Sequence, residues 1–150
     1  MHIRPLLPAD LDAVAALLHS LASEFILHET PPEQAAVFLQ DNSAPGIRAH
    51  LANGFAYHVA EDAGAIVGFI GMRERRHLFH LFVDKRWQGR GLSRALWDAG
   101  RHAAIDAGGA PPFTVNASNY ALPAYQRLGF VATAPMTIKN GIRFTPMQWG

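Results

Sequence analysis

Glycine and basic residues alternate in one segment of the chain, the run Val83-Asp84-Lys85-Arg86-Trp87-Gln88-Gly89-Arg90-Gly91-Leu92-Ser93-Arg94-Ala95-Leu96. Its pattern predicts an apolar strand that passes through a basic turn into a helix. The first N–H groups of a helix have no partner within the helix and lie at the positive end of its dipole, so they bind phosphate. Glycines in the turn let the backbone approach the phosphate closely, and the basic side chains add charge. The segment therefore predicts a phosphate-binding turn.

Spacing distinguishes between the known nucleotide-binding motifs. A P-loop needs Gly, four residues, then Gly-Lys and Ser or Thr, and no such run occurs in the chain. A dinucleotide fingerprint needs a third glycine where this chain has Arg94. The remaining pattern is Gln-x-x-Gly-x-small, formed by Gln88, Gly91 and Ser93. The competing interpretation is an ordinary strand-to-helix turn with solvated arginines.

The Gln-x-x-Gly-x-small pattern resembles the acyl-CoA pyrophosphate loop of the GCN5-related N-acetyltransferase (GNAT) superfamily. That family usually has Gly or Ala where Ser93 stands. A second segment, Phe113 to Phe130, is predicted to be a strand, a polar turn and a short helix, and it ends in Tyr-x-x-x-Gly-Phe. It is similar to the second cofactor segment of the family. The resemblance covers residues 55 to 149 well and residues 1 to 54 loosely.

The resemblance implies that acetyl-CoA is the co-substrate and that its pantetheine arm enters between two parallel strands that splay apart. Strand backbone groups would pair with the pantetheine amides, and turn N–H groups would hold the pyrophosphate. The N–H of Val83 would polarise the thioester carbonyl. Buried strand packing, or helix capping for Ser118 and Asn119, is the alternative role. The implied cofactor-binding residues are Leu81, Phe82, Val83, Gln88, Gly89, Arg90, Gly91, Leu92, Ser93, Arg94, Asn116, Ser118, Asn119 and Tyr125.

Two residues are the candidates for catalysis. Tyr125 matches the family tyrosine whose hydroxyl points at the thioester sulfur, and the less favoured alternative is a helix tyrosine packed on the core. An amine with a pKa near 10 must lose a proton before it attacks. The resemblance implies His77 as the candidate base, because it lies six residues before Val83, where several members of the family place a carboxylate or a histidine on the same strand. Strict alternation puts His77, Phe79, Leu81 and Val83 on one face of the strand and His80 on the other. A bulge, which is common in this strand of the family, would reverse that order of faces, so His80 is the second choice. A structural role for either histidine remains open.

The acceptor pocket is expected, by analogy with the family, between the first helix and the early strands. Glu24, Phe25, His28 and Tyr57 are the candidate substrate-binding residues, since an acidic group and aromatic rings can hold a cationic amine. Phe25 closing the core and Glu24 in solvent are the alternatives. The histidines at 19, 28, 50, 58 and 102 lack metal-ligand spacing, so no metal is expected.

Composition limits the remaining classes of protein. The chain has 150 residues, 49% of them apolar, which suits one domain over residues 1–150. Its 13 basic and 12 acidic residues nearly cancel, so we expect neither nucleic-acid nor membrane binding. No apolar signal core or membrane span is apparent, so we expect a cytoplasmic protein. There is no cysteine for a disulfide, a thiolate metal site or an acyl-cysteine intermediate.

The order of the predicted elements is helices, an antiparallel meander, and then a parallel strand-helix-strand unit. This order favours a mixed α/β fold, and the resemblance implies a twisted, mostly antiparallel GNAT-like sheet flanked by helices, with a splayed parallel strand pair. The leading hypothesis is an acetyl-CoA-dependent N-acetyltransferase that acts on a primary amine by direct attack. A non-catalytic acyl-CoA-binding or regulatory module is the alternative. A homodimer through Phe144, Met147 and Trp149 competes with core packing of the same residues.

Overall fold

The structure, a computed structural model, describes all of residues 1–150. Five α-helices are present: α1 (Leu11–Phe25), α2 (Pro32–Asp41), α3 (Ala44–Ala52), α4 (Leu92–Asp106) and α5 (Leu122–Leu128). Eight strands accompany them: β1 (His2–Pro5), β2 (Ala56–Asp62), β3 (Ala65–Arg73), β4 (His77–Val83), β5 (Phe113–Ser118), β6 (Val131–Ala132), β7 (Thr137–Lys139) and β8 (Ile142–Trp149). No helix is long and apolar enough to cross a membrane.

The strands form one sheet in the order β1-β2-β3-β4-β5-β8-β6, and β7 pairs with β8 on the side. All neighbouring pairs are antiparallel except β4 and β5, which are parallel. Helix α4 supplies the crossover between these two parallel strands, as a parallel connection requires. The predicted mixed α/β fold with a mostly antiparallel sheet is confirmed.

The parallel pair separates soon after it begins. The register joins His77 to Thr114 and Leu78 to Val115, and no further residues of β4 and β5 pair, although the strands continue to Val83 and Ser118. Backbone N–H and C=O groups on the facing edges of both strands are therefore left without ladder partners, and such groups need other partners. The gap between the two strands is the feature of the fold that positions the site.

Apolar side chains cover both faces of the sheet. The α4 and α5 face holds a cluster that includes Ile70, Leu96 and Trp97, and the α1 and α3 face holds one that includes Leu18, Ile47 and Phe69. Phe144, Met147 and Trp149, the candidate dimer surface, are accounted for by internal packing: Met147 is 1% exposed, Phe144 lines an internal cavity, and Trp149 contacts Trp97.

A bulge in β4 reverses the side-chain parity of the strand. Gly71 of β3 pairs with His80 and Met72 pairs with Leu78, so Phe79 is an extra residue without a partner. Phe79 and His80 both contact His50 of α3, which places them on the same face. The expectation of strict alternation from His77 to Val83 is wrong, because one inserted residue shifts every following side chain to the other face.

Candidate active site

A cavity of about 1420 Å³ opens where β4 and β5 separate. One end of it is formed by the turn before α4 and by α5. The other end is formed by α2, α3 and the β7–β8 hairpin. The cavity therefore passes through the sheet, and its two ends have different walls.

The turn before α4 has the conformation that a phosphate site requires. Gly91 caps the helix at φ +82° and Gly89 has φ +76°, both in the left-handed region that favours glycine. No atom lies within 4 Å of the place where a Cβ would stand on either residue, so the space beside the backbone is open. Helix α4 has 15 residues, which gives its first N–H groups a full helix dipole. Backbone donors and dipole both face an open surface here.

The side chain of Gln88 connects the end of β4 with the segment between β5 and α5. Its Nε2 donates to the carbonyl of Val83 (3.1 Å), and its Oε1 accepts from the hydroxyl of Tyr120 (2.7 Å). Tyr120 stacks on Phe25 at the end of α1, with ring centroids 4.1 Å apart. A chain of contacts thus runs from α1 across to the end of β4.

The predicted cofactor-binding residues divide into two groups. Those that line the cavity are Leu81, Phe82, Val83, Gln88, Gly89, Ser93, Asn116, Ser118 and Tyr125. Those that do not are Arg90, Gly91, Leu92, Arg94 and Asn119.

Three of the five residues outside the cavity have side chains with other contacts. Leu92 is 3% exposed and belongs to the core. The Arg90 guanidinium lies over the Trp87 ring, 4.4 Å from its centroid. Arg94 donates to the carbonyl of Arg127. Their side chains are engaged elsewhere, which leaves the backbone of this turn as the part available to a phosphate.

Tyr125 lies in the cavity wall with its ring 6% exposed. Burial raises the pKa of the Tyr125 hydroxyl above its ordinary value, and no protein group perturbs it further. The hydroxyl therefore stays protonated at neutral pH and is a hydrogen-bond donor.

His80 lines the cavity but is 5% exposed. Burial, together with the charge of His50, lowers the pKa of His80 to about 3. Its Nδ1 shares a hydrogen bond of 2.8 Å with the hydroxyl of Tyr57. A Cβ on Gly71 would stand 2.4 Å from the Tyr57 ring, so only glycine at that position leaves room for the ring. His80 is thus a neutral, fixed imidazole.

His77 does not line the cavity. It stands at the start of β4, where β4 and β5 are still paired, and its Nδ1 lies 2.8 Å from Oγ1 of Thr114. Burial and the neighbouring Arg73 charge lower the pKa of His77 to about 4. The geometry therefore does not favour His77 as the base.

Of the predicted acceptor residues, the structure brings only Phe25 to the cavity. Glu24 pairs with Lys85 at 2.9 Å, on the exposed surface. His28 is exposed and lies 3.7 Å from Glu29. Tyr57 is 3% exposed and stands behind His80, to which it is hydrogen-bonded. Its role is to hold His80 rather than to contact a ligand directly.

Several polar residues at the acceptor end carry no sequence motif. Asp41, Asn42, His50 and Arg73 all line the cavity there. They come from the end of α2, the α2–α3 junction, α3 and the end of β3, and only the fold brings them together. Sequence reasoning missed them because single polar residues on short helices have no distinguishing spacing.

Helix α2 covers this end and is partly buried, with Ala35, Phe38 and Leu39 packed against the core of the α1 and α3 face. No residue of α2 is fully buried, and Val37 is 56% exposed. Even so, Gln34, Phe38 and Asp41 of this helix line the cavity. No group of three or more His, Cys, Asp or Glu residues is placed to hold a metal ion anywhere in the chain.

Comparison with known protein families assigns the chain to one of them. The family model of the GNAT acetyltransferase domain matches residues 26–150. The chain belongs to this family. As a GNAT acetyltransferase it is an acyltransferase, and the resemblance expected from the two cofactor segments is confirmed. No curated protein sequence matches it significantly.

Solved structures of other GNAT proteins superpose on nearly the whole chain. A GCN5-related N-acetyltransferase from Rhodopseudomonas palustris is 26% identical, with a TM-score of 0.82 over 99% of this chain and 94% of its own. The PaiA N-acetyltransferase of Thermoplasma acidophilum, solved with coenzyme A, is 12% identical, with a TM-score of 0.81 over 99% and 97% of the two chains. YncA of Salmonella typhimurium, solved with acetyl-CoA, is 22% identical, with a TM-score of 0.73 over 99% and 92%. The last two show that the fold is shared.

Proposed function

We propose that this GNAT protein transfers an acetyl group from acetyl-CoA to a primary amine by direct attack within a ternary complex. The observation that carries the proposal is the single cavity into which three features open: the unpaired edges of β4 and β5, the glycine turn before α4, and Tyr125. The structural neighbours from Thermoplasma and Salmonella that hold coenzyme A and acetyl-CoA support a CoA ligand.

The proposed binding of acetyl-CoA uses mostly main-chain groups. Amides of Gln88 to Arg94 hold the pyrophosphate at the start of α4. The unpaired strand edge at Leu81 to Val83 pairs with the pantetheine amides, since these groups otherwise lack ladder partners. Val83 C=O already accepts from Gln88 Nε2, and its second lone pair is available to a pantetheine N–H. Asn116 and Ser118 line the opposite wall.

The proposed reaction replaces the C–S bond of the thioester by a C–N bond to the amine, which then loses a proton. The nitrogen of the neutral amine attacks the thioester carbonyl carbon, the C–N bond forms, and the C–S bond breaks. The Val83 N–H stabilises the charge that develops on the carbonyl oxygen. The Tyr125 hydroxyl donates a hydrogen bond to the departing sulfur and remains the donor because its raised pKa opposes ionisation. Absence of cysteine from the chain removes the acyl-cysteine route.

The proton of the amine passes to solvent in this proposal rather than to a histidine. Transfer from an alkylammonium of pKa near 10 to an imidazole with a pKa of about 3 is uphill by roughly 9 kcal/mol. His80 therefore shapes the acceptor end as a neutral polar group. The reacting species is the fraction of amine that is already neutral.

Calorimetric titration with acetyl-CoA, followed by an amine panel with detection of the released thiol, tests the proposal. We expect saturable acetyl-CoA binding and thiol release that depends on both the amine and the protein. No binding at millimolar acetyl-CoA would overturn the proposal. Binding without thiol release from any amine would instead support the non-catalytic acyl-CoA module.

A further inference from the structure

The charges that line the cavity are unbalanced at its acceptor end. Arg73, Arg127, Lys139 and Arg143 are the cationic residues of the lining, and Asp41 is the only carboxylate. Arg127 lies on α5, where Arg94 donates to its carbonyl, so it belongs to the cofactor end. The other three cations stand on β3 and on the β7–β8 hairpin. A cationic amine alone does not explain this excess of positive charge.

Arg73 is the half-buried cation of this lining that has no anionic partner. It is half-buried at the end of β3, yet none of the ion pairs of the structure includes it. By contrast, Arg143 lies 3.7 Å from a carboxylate oxygen of Glu29. The Arg73 guanidinium lies 5.8 Å from the centroid of the Phe79 ring, within the range of a cation–π contact. A half-buried guanidinium without an anion is a binding site for one, because its fork of donors matches a carboxylate.

Two buried polar atoms in the same wall also lack partners. They are Oδ1 of Asn42 and Nε2 of His50, and both residues line the cavity. Asn42 is 5% exposed, and its amide nitrogen donates to the carbonyl of Phe38, which fixes its orientation. Buried polar atoms of native proteins are usually paired, so unpaired atoms in a cavity wall point to a polar ligand.

These observations come together at one place. The His50 ring packs edge-on against the Phe79 ring, with centroids 5.2 Å apart, and Arg73 lies over the same Phe79 ring. Phe79 and Val83 are four residues apart, so the Arg73 site is at most about 13 Å along the strand from the N–H that would polarise the thioester carbonyl. That distance suits a small molecule that bridges the two points.

We propose that the acceptor is a small amine that also carries a carboxylate, which Arg73 binds while Asn42 Oδ1 accepts a hydrogen bond from the amine. The inference rests on the proposed N-acetyltransferase function and names the class of its acceptor. Arg73 in this role is a specificity-determining residue and takes no part in the chemical step.

The test compares amines that differ only in the carboxylate. Glycine, β-alanine, 4-aminobutyrate and 6-aminohexanoate are each paired with the n-alkylamine of the same chain length, and kcat/KM is measured for thiol release. For at least one pair we expect the amino acid to be favoured by about 10- to 100-fold, the value of a charge-assisted hydrogen bond. Alkylamines accepted as well as every amino acid would overturn the inference and leave the N-acetyltransferase function standing. No thiol release from any amine would overturn the proposed function itself.

A variant locates the carboxylate site. R73Q is expected to raise KM for the preferred amino acid by about 10- to 100-fold and to leave KM for the matched alkylamine and the affinity for acetyl-CoA unchanged. R76Q is the matched control, because Arg76 is an exposed arginine of the same β3–β4 hairpin outside the cavity lining. Equal KM values for the amino acid in R73Q and R76Q would contradict the assignment.

Discussion

The Tyr57 hydroxyl lies 2.8 Å from Nδ1 of His80, on the face of the sheet where the acceptor end of the cavity opens. This pair exists because Gly71 leaves space for the tyrosine ring and because the bulge at Phe79 turns His80 to the α1 and α3 face. The pair makes His80 a rigid part of the wall, with an imidazole that is neutral at any pH at which the enzyme would act.

Removal of the Tyr125 hydroxyl separates catalysis from binding. We expect Y125F to lower kcat by about 100-fold, because the departing sulfur loses its hydrogen-bond donor. The affinity for acetyl-CoA should stay within about twofold, since the ring still fills its place. Steady-state kinetics and calorimetric titration of the same protein measure both quantities. Unchanged kcat would show that this hydroxyl does not assist the leaving group.

A methyl group on the pyrophosphate turn should weaken cofactor binding. G91A places a Cβ where the phosphate must approach, so we expect Kd for acetyl-CoA to rise about tenfold. G64A is the matched control: Gly64 has the same φ of +82°, the same open space around its Cβ position, and lies in the β2–β3 turn away from the cavity. Both variants should lose about 1 kcal/mol of stability from the left-handed backbone. Equal acetyl-CoA affinities in the two variants would place the phosphate elsewhere.

The rate should follow the ionisation of the acceptor and not that of a histidine. We expect log kcat/KM for an amine of pKa near 10 to rise with unit slope from pH 6.5 to 9. H77Q should retain this profile and keep kcat within about twofold, because His77 lies outside the cavity and its pKa is lowered to about 4. A plateau above pH 7, or loss of activity in H77Q, would make a histidine the base.

Acid should destabilise the protein through its buried histidines. The unfolded chain binds a proton at His80 below a pKa of about 6.5, whereas the folded protein binds it only near pH 3. The unfolded state therefore holds more protons in this window, and stability falls as the pH drops from about 6.5 towards 3. We expect His80 to account for about 2 kcal/mol of lost unfolding free energy between pH 7.5 and 5.

Urea unfolding at the two pH values measures this loss. H80Q should show a smaller difference between them than the wild type. H102Q, which replaces an exposed histidine of α4, is the matched control and should behave as the wild type does. An equal difference in H80Q and the wild type would show that His80 is not buried in its neutral form.

The sequence was most informative where local patterns determine structure. The apolar pattern of residues 77–83 predicts a strand with the bounds that the structure gives, and the pattern of residues 91–107, which ends before Gly108-Gly109, predicts a helix that is observed from Leu92 to Asp106. Glycine spacing predicted the open turn before α4 because left-handed backbone and close approach both require glycine. These features need no knowledge of distant contacts.

The acceptor end of the cavity could not be predicted from local sequence patterns. The bulge at Phe79 depends on pairing with β3, and no sequence pattern predicts β7, because it has only three residues and all of them are exposed. Glu24 and His28 were chosen by analogy, but Glu24 pairs with Lys85 outside the cavity. Arg73 and Asn42 became visible only when the sheet and the short helices were assembled around the gap.

Helix α2 packs on the core through Ala35, Phe38 and Leu39, while its exposed residues Gln34 and Val37 also line the acceptor end. Substitutions at exposed positions cost little folding free energy, so changes at Gln34 and Val37 can alter which molecule fits while the helix stays in place. The positions that select the acceptor are therefore separate from those that hold the helix, and new substrate preferences can arise there at small thermodynamic cost.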